Sequence, residues 1–593
     1  MAWRVREEPT LNSGLRPEDL AKTFQLPLWV ATVLHHRMKH WGDHSLEAVK
    51  RFLEPSLKNL PDPFSLPDMD RGADRLAEAI VEGQKIGIYG DYDVDGTVGA
   101  AVLRRFLRRL GNDPVIYQPD RQKEGYGINA GAIEKLAEQG IQLLIAVDCG
   151  ITSVKEVALA NELGLDVIIC DHHEPKEELP PAYAVLDHKR ADNESTIQSL
   201  SGAGVAFYLC IAVRSVLRDI GHFDAENGGQ PEPDVRELLD LVALATVADM
   251  VPLVDENRTL LAAGMDRMRK KPCVGLRELL RVTGVDPSEV STYHLGFLLG
   301  PRINASGRLG TANAALELLS TDDPAEAKRL AEALDSVNLE RMRLQGEVAE
   351  EALAQAAAQL EKYGKDLPAF VLSSDTWHEG VIGIVASKVT ERYHRPVAIV
   401  TFATMVGKGK GSVRGVGSLD MTKALEDSAE FLGTFGGHKA AAGLSVTREN
   451  LEPFRASFAE AIGNQVSALY EGTRVLLRDV LADVILVNEE ELTNKAVEAI
   501  ERLGPFGMGN SEPTLLITGW KLAGTRTMKE KHLKIQLTTS QNKSLEGFWA
   551  NGVGKAEITE GGHIDIVCLP QINTFRNQSK LELKIKDIRA HID

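Results

Sequence analysis

Aspartates at alternate positions in Asp91-Tyr92-Asp93-Val94-Asp95-Gly96 follow directly on the apolar run KIGIYG. A calcium loop of the EF-hand type is excluded. That pattern needs Glu at its twelfth position, where Val102 stands, and a helix in front, where a strand is expected. Carboxylates just past a strand and just before a helix instead point into the crevice at the carboxyl edge of a sheet. Asp148 closes IQLLIAVD, Asp171-His172-His173-Glu174 follows LDVIIC, and Asp249 lies in ATVADMVPL after an apolar helix. Each Asp alone could be a solvated turn residue or a helix cap. Four such segments brought together would be costly unless cations neutralised them. Divalent metals are the economical explanation. A mixture of carboxylate and imidazole suits Mn²⁺ better than an all-oxygen Mg²⁺ or Ca²⁺ site.

The elements around these residues predict how they are held. From about residue 70, short apolar runs (KIGIYG, VIYQPD, IQLLIAVD, LDVIIC, AYAVLDH) alternate with amphipathic helices that end in Gly. This is the pattern of an α/β domain with a mostly parallel, doubly wound sheet. Residues 200–320 read as helical. Pro324–Tyr363 reads as one helix with no internal Pro, suited to joining two lobes. A second α/β unit comes next. The chain from Thr473 is rich in short strands, as in a small barrel. The expected division is an N-terminal extension (1–69) packed on the domain after it, a phosphoesterase domain with its helical part (70–320), a connecting helix (321–365), a second α/β domain (366–465) and an OB-fold domain (466–593).

With 593 residues, 43% hydrophobic and 26% charged, the chain can bury several cores. Its five cysteines are scattered through apolar runs with no CxxC spacing, so they read as reduced thiols of a cytoplasmic protein. Neither a signal peptide nor a membrane-spanning run is evident. A net charge of −18 argues against nonspecific coating of duplex DNA, while leaving room for a local basic channel.

DYDVDG, VDCG, DHH and AD, in this order, resemble the DHH phosphoesterase superfamily. The resemblance implies that Asp93, Asp95, Asp148, His172 and Asp249 hold two ions, Mn²⁺ or Mg²⁺, with Asp148 bridging them. Other branches carry a His four residues before the Asp93 equivalent, where this chain has Tyr89, so Asp91 is expected to compensate. His173 is expected to support catalysis by orienting a ligand or contacting a substrate phosphate. Three basic, Gly-rich stretches lie downstream: Gly300–Arg308, Lys408–Gly415 and Gly436–Gly443. They suit phosphate contacts through Arg302, Asn304, Arg308, Ser412, Arg414, Gly436, Gly437 and His438. The last stretch resembles the hallmark of the DHH-associated domain.

PDR (with Arg121), EGYG and a C-terminal OB-like segment resemble the single-strand-specific exonuclease branch of the superfamily. In that segment Lys531, Lys534 and Trp549 are expected to touch DNA. The branch implies a 5′→3′ exonuclease that releases 5′-mononucleotides in DNA repair and recombination. It also implies a monomer that binds single-stranded DNA and the tail of single-stranded-DNA-binding protein. A small-molecule phosphoesterase would not need the third domain, and a nonenzymatic relative would have no reason to keep the acids.

Overall fold

The structure is a computed structural model. It describes every residue except 1, 8, 10, 12, 121–123, 225–228, 310–312, 404–406, 471–472, 477–478, 557, 576–577 and 592–593. Two compact units are present, one of residues 3–335 and 480–593, the other chiefly of residues 336–479.

In the first unit, strands Ile86–Gly90, Val115–Tyr117, Leu143–Val147, Asp166–Cys170 and Ala184–Leu186 form a wholly parallel sheet. Most of its strand residues are buried, as expected for a sheet covered by helices on both faces. In space the second strand lies outside the first, and the remaining three run in chain order on the other side. The order therefore reverses between Ile86–Gly90 and Leu143–Val147, where open α/β sheets bind their ligands. Val94–Arg109 and Gly202–Asp219 are the helices whose first turns meet this reversal point.

The C-terminal barrel is closed. Leu515–Met528 pairs with His532–Thr538 on one side and with His563–Phe575 on the other, and Ser544–Trp549 and Gln578–Ala590 complete the ring. Its core continues into the N-terminal segment. Leu20, Trp29, Val30 and Leu34 pack in one apolar cluster with Ile500, Leu503, Leu515, Trp520 and Trp549. The extension thus shares its core with the far end of the chain, not with the sheet next to it in sequence. Periodicity reveals an apolar helix face but not its partner.

Arg258 ties three segments of this unit together. It is 2% exposed and donates to the carbonyls of Phe52 (2.8 Å), Leu503 (3.1 Å) and Arg502 (3.1 Å). Its guanidinium lies 3.8 Å from the centre of the Phe52 ring. Burial lowers its pKa to about 9.

In the second unit, Phe370–Ser374, Val397–Thr401, Lys408–Arg414, Ala441–Thr447 and Leu432–His438 form a mixed sheet in that spatial order. The helix Pro324–Tyr363 runs for 40 residues, as its composition predicts, and carries the chain from one unit into the other.

Replacing Arg258 with Met should orphan three buried carbonyls and cost about 3 kcal/mol of stability. Urea unfolding measures this, and a change below about 1 kcal/mol would show that water or a neighbour replaces the guanidinium.

Candidate metal centre

The register of the parallel sheet creates the site. Gly90 pairs with Val147, Val147 with Cys170, and Cys170 with Leu186. The next residues are Asp91, Asp148 and Asp171. Their amides extend the ladder by one step, to Val147 O (3.2 Å), Cys170 O (2.9 Å) and Leu186 O (3.1 Å). Three aspartates thus emerge side by side at strand spacing. Asp148 has a left-handed backbone, with φ of 61°.

Asp93 caps the helix Val94–Arg109, accepting from the amides of Asp95 (2.9 Å) and Gly96 (3.2 Å). Asp95, one turn in, accepts from Gly202 N (2.6 Å) and Ala203 N (3.1 Å) at the start of the helix Gly202–Asp219. Asp249 sits at the C-terminal end of the helix Leu239–Ala248.

His172 stands among three of these acids. Its Nε2 is 3.1 Å from Asp148, 3.5 Å from Asp249 and 3.7 Å from Asp95. Three overlapping groups place their ligand atoms within 4.8 Å of one another: Asp91/Asp93/Asp148, Asp95/His172/Asp249 and Asp148/His172/His173. All five residues expected to hold metal, and both Asp91 and His173, therefore converge on one place.

Asp171 serves these residues without joining those groups. Fully buried, it accepts from the amides of Ile151, His172 and His173 and lies 2.8 Å from His173 Nδ1. Burial alone would raise its pKa. The bond to His173 and the backbone donors outweigh that and hold it below the ordinary value. His173 is raised in turn: burial lowers it, but Asp171 prevails.

Packing the remaining acids together is electrostatically unfavourable. Burial, and then Asp93, push Asp95 up to about 7. Burial, Asp95 and Asp93 push Asp249 up to about 9. Asp148 lies well above the carboxylate range for the same reasons. Burial drops His172 to about 3, so its imidazole is neutral and can ligate. Asp249 Oδ2 is buried with no hydrogen-bond donor among the described residues. Neutral imidazole, crowded carboxylates and a buried oxygen lacking a donor form a set that fits divalent cations.

Several contributors escaped the sequence reading. A Cβ on Gly202 would lie 2.9 Å from Asp148 Cα and 3.0 Å from Asp95 Oδ2, so this position must be glycine. The signal was present in Ser201-Gly-Ala-Gly, a capping serine followed by small residues at a helix start. Tyr126, from EGYG, places its hydroxyl 3.1 Å from His173 Nδ1 and 3.2 Å from Asp148 O. Tyr89, which stands where other branches have His, points away from the acids and donates to Gly127 O at 2.8 Å.

Comparison with known proteins decides the family. Residues 85–246 match the DHH family, N-terminal domain; 366–464 match the DHHA1 domain; and 485–587 match the RecJ OB domain. The single-stranded-DNA-specific exonuclease RecJ of Salmonella typhimurium is 36% identical over 97% of this chain and 98% of its own length. The chain belongs to the RecJ family. The crystal structure of RecJ from Thermus thermophilus in complex with Mn²⁺ is 30% identical with a TM-score of 0.80, covering 100% of this chain and 80% of that one. The Mg²⁺ complex gives 28%, 0.74, 100% and 79%. Like its RecJ relatives, the chain is a metal-dependent nuclease. None of its described helices is long and apolar enough to cross a membrane.

Against this RecJ frame, several sequence expectations need correction. Gly300–Leu309 is a helix, not a phosphate-binding loop. Pro301 sits in its first turn, where a missing N–H costs little. Arg302 is bound to Asp335 (2.8 Å) and to Leu298 O (2.7 Å), and Asn304 is half-buried in the same helix. The Arg308 side chain and the whole of Arg121 lie outside the described residues.

Lys408–Arg414 is a strand rather than a turn. Alternation puts Lys408, Lys410, Ser412 and Arg414 on one face, while Gly409 and Gly411 abut Phe402 and Leu444 on the other. Gly436, Gly437 and His438 end a strand that pairs with Ala441–Thr447, and all three are exposed. Trp549 is not at the barrel surface. It is 1% exposed, and its indole donates to Lys586 O, which makes it a core residue. Lys531 is exposed, and Lys534 is paired with Glu546 at 3.0 Å.

Acids with raised pKa values link pH, metal and stability. Between the unfolded value near 4 and the folded values, the folded state binds more protons, so stability falls as pH rises. His172, with its lowered pKa, acts in the opposite sense only below about 6.5. From pH 7 to 9 the melting temperature of metal-stripped protein should therefore fall. Mg²⁺ should restore more at pH 8.5 than at pH 6.5, and Asp249→Asn should flatten the trend. A melting temperature that rises over this window would overturn the account.

Proposed function

We propose that this chain is a 5′→3′ exonuclease that hydrolyses single-stranded DNA to 5′-mononucleotides with two divalent ions, Mn²⁺ or Mg²⁺. The observation that carries the proposal is the convergence of Asp91, Asp93, Asp95, Asp148, His172 and Asp249 in overlapping groups that share Asp148 and His172. Asp148, at the centre, bridges the two ions. When bound, such ions supply Lewis acidity toward phosphate and water and neutralise developing charge. The protein's own residues fix the arrangement. Backbone amides of Gly202 and Ala203 lock Asp95. Asp171 orients His173 and favours its imidazolium, so its exposed edge can donate to a phosphate oxygen.

Recognition of a 5′ end is assigned to the second unit. Arg414 Nη1 donates to Ser412 Oγ at 2.9 Å. A Cβ on Gly383, in the helix Glu379–Tyr393, would lie 2.9 Å from the Arg414 guanidinium and 3.1 Å from Ser412 Oγ. Arginine, hydroxyl and helix backbone thus form an open cradle suited to a terminal phosphate. Arg121, Arg302, Asn304, Arg308, Gly436, Gly437 and His438 remain proposed contributors to strand binding, with Lys531 and Lys534 on the barrel. The division at 1–69, 70–320, 321–365, 366–465 and 466–593 is the functional one that goes with this reading. The protein acts as a cytoplasmic monomer in repair and recombination, with the tail of single-stranded-DNA-binding protein as a partner.

The test offers a 5′-phosphorylated single strand, a duplex and a dinucleotide. The single strand should be degraded from its 5′ end and the duplex spared, and Asp148→Ala should abolish turnover in a folded protein. Equal cleavage of duplex, or near wild-type turnover of Asp148→Ala with Mn²⁺, would refute the reading. Separately, Arg414→Ala should lose about 1.5–3 kcal/mol of binding on 5′-phosphorylated strands. Strands with a 5′-hydroxyl should be affected far less, and equal losses would remove Arg414 from end recognition.

A further inference from the structure

Tyr293 and Phe297 are 60% and 69% exposed, yet their rings stack on one another, 5.2 Å between centroids with planes 22° apart. They lie on and just before a single π-helical stretch, Leu295–Leu299, which leads directly into the helix Gly300–Leu309. Short π segments often mark functional sites. An aromatic pair at this spacing steadies a helix by only a few tenths of a kcal/mol. That gain does not require both rings to face water.

The surroundings tie the pair to the metal centre. A Cβ on Gly296 would lie 3.4 Å from Val247, two residues before Asp249. A Cβ on Gly300 would lie 3.4 Å from Ala248 and 3.9 Å from Val94, which sits between Asp93 and Asp95. The segment is also pinned from the barrel side. Thr292 Oγ1 donates to Phe506 O at 2.8 Å, and Leu253 N donates to Met508 O at 2.8 Å. These tied segments expose two further apolar side chains, Met250 (67%), directly after Asp249, and Met508 (55%). Met250 holds a left-handed backbone, with φ of 60°.

We infer that Tyr293 and Phe297 form a stacking platform for nucleobases of the single strand beside the metal centre. The inference rests on the nuclease reading above and adds a base-binding subsite to it. Flat aromatic faces hold bases without regard to sequence. They also suit a chain with a net charge of −18, whose acids repel the phosphate backbone near the metals. Stacking gives an attraction that salt does not screen. Continuity with the metal centre selects a nucleic-acid strand as the occupant over a protein partner.

The experiment compares wild type, Tyr293→Ala/Phe297→Ala and the bulk-preserving Tyr293→Leu/Phe297→Leu. The substrates are a natural 5′-phosphorylated 20-mer and the same strand with abasic residues at its first six positions. Wild type should prefer the natural strand in kcat/KM by about tenfold or more. Both variants should lose that preference through the natural strand alone, leaving abasic turnover unchanged. A second measurement monitors quenching of 2-aminopurine in the strand without metal, which reads stacking whether or not hydrolysis occurs. Wild type should quench, and both variants should lose quenching. Undiminished base preference or quenching in the Leu variant overturns the platform, and is the result a protein-docking patch would give. Wild-type quenching without cleavage would overturn the nuclease reading and leave the platform standing.

Discussion

Repulsion among carboxylates at the edge of one parallel sheet is the constraint on which the rest of this structure depends. A parallel ladder in strict register delivers Asp91, Asp148 and Asp171 in a row, and helices add Asp93, Asp95 and Asp249. Water would screen such a group, but burial removes the water. The fold answers with fixed backbone dipoles. Asp93 and Asp95 take amides from helix starts, and Asp171 takes three amides from its own turn. What these dipoles leave uncompensated is concentrated on Asp95, Asp148 and Asp249, and there a cation is needed.

This division explains why residues that never touch a reacting atom are constrained. Gly202 gives Asp95 and Asp148 room to approach one helix start. Asp171 uses its oxygens to orient His172 and His173 rather than to ligate. The loop containing Met508 meets Leu253, four residues past Asp249, so the barrel participates in placing one acid of the cluster. Metal centre and barrel are parts of one compact unit.

The parallel sheet, its strand order of appearance and the converging acids were legible in the sequence. Each depends on local information: a short apolar run, a turn and an Asp just beyond it. Residues whose role comes from tertiary packing were not legible. The glycines of Lys408–Gly415 suggested a loop, but they are there because Phe402 and Leu444 press against a strand. Gly300-Pro301 suggested a turn, but it begins a helix whose backbone lies close to Ala248 and Val94. Trp549 and Phe548 are neighbours on one strand, and only barrel closure decides that Trp549 faces inward. The N-terminal helices showed an apolar face with no indication that residues 500–566 would cover it.

That shared core has a consequence for the birth of the protein. Leu20, Trp29 and Leu34 leave the ribosome more than 500 residues before Ile566, their partner in the barrel core. At roughly 5–20 residues per second, the apolar face waits about half a minute to two minutes for its cover. During that interval it is a binding site for chaperones and a target for proteases. A transcript cut short, or a ribosome stalled late, leaves the sheet and its acids made but the N-terminal helices bare. Synthesis itself thus separates complete chains from incomplete ones, because only the last strands of the barrel hide the surface by which an unfinished nuclease is recognised.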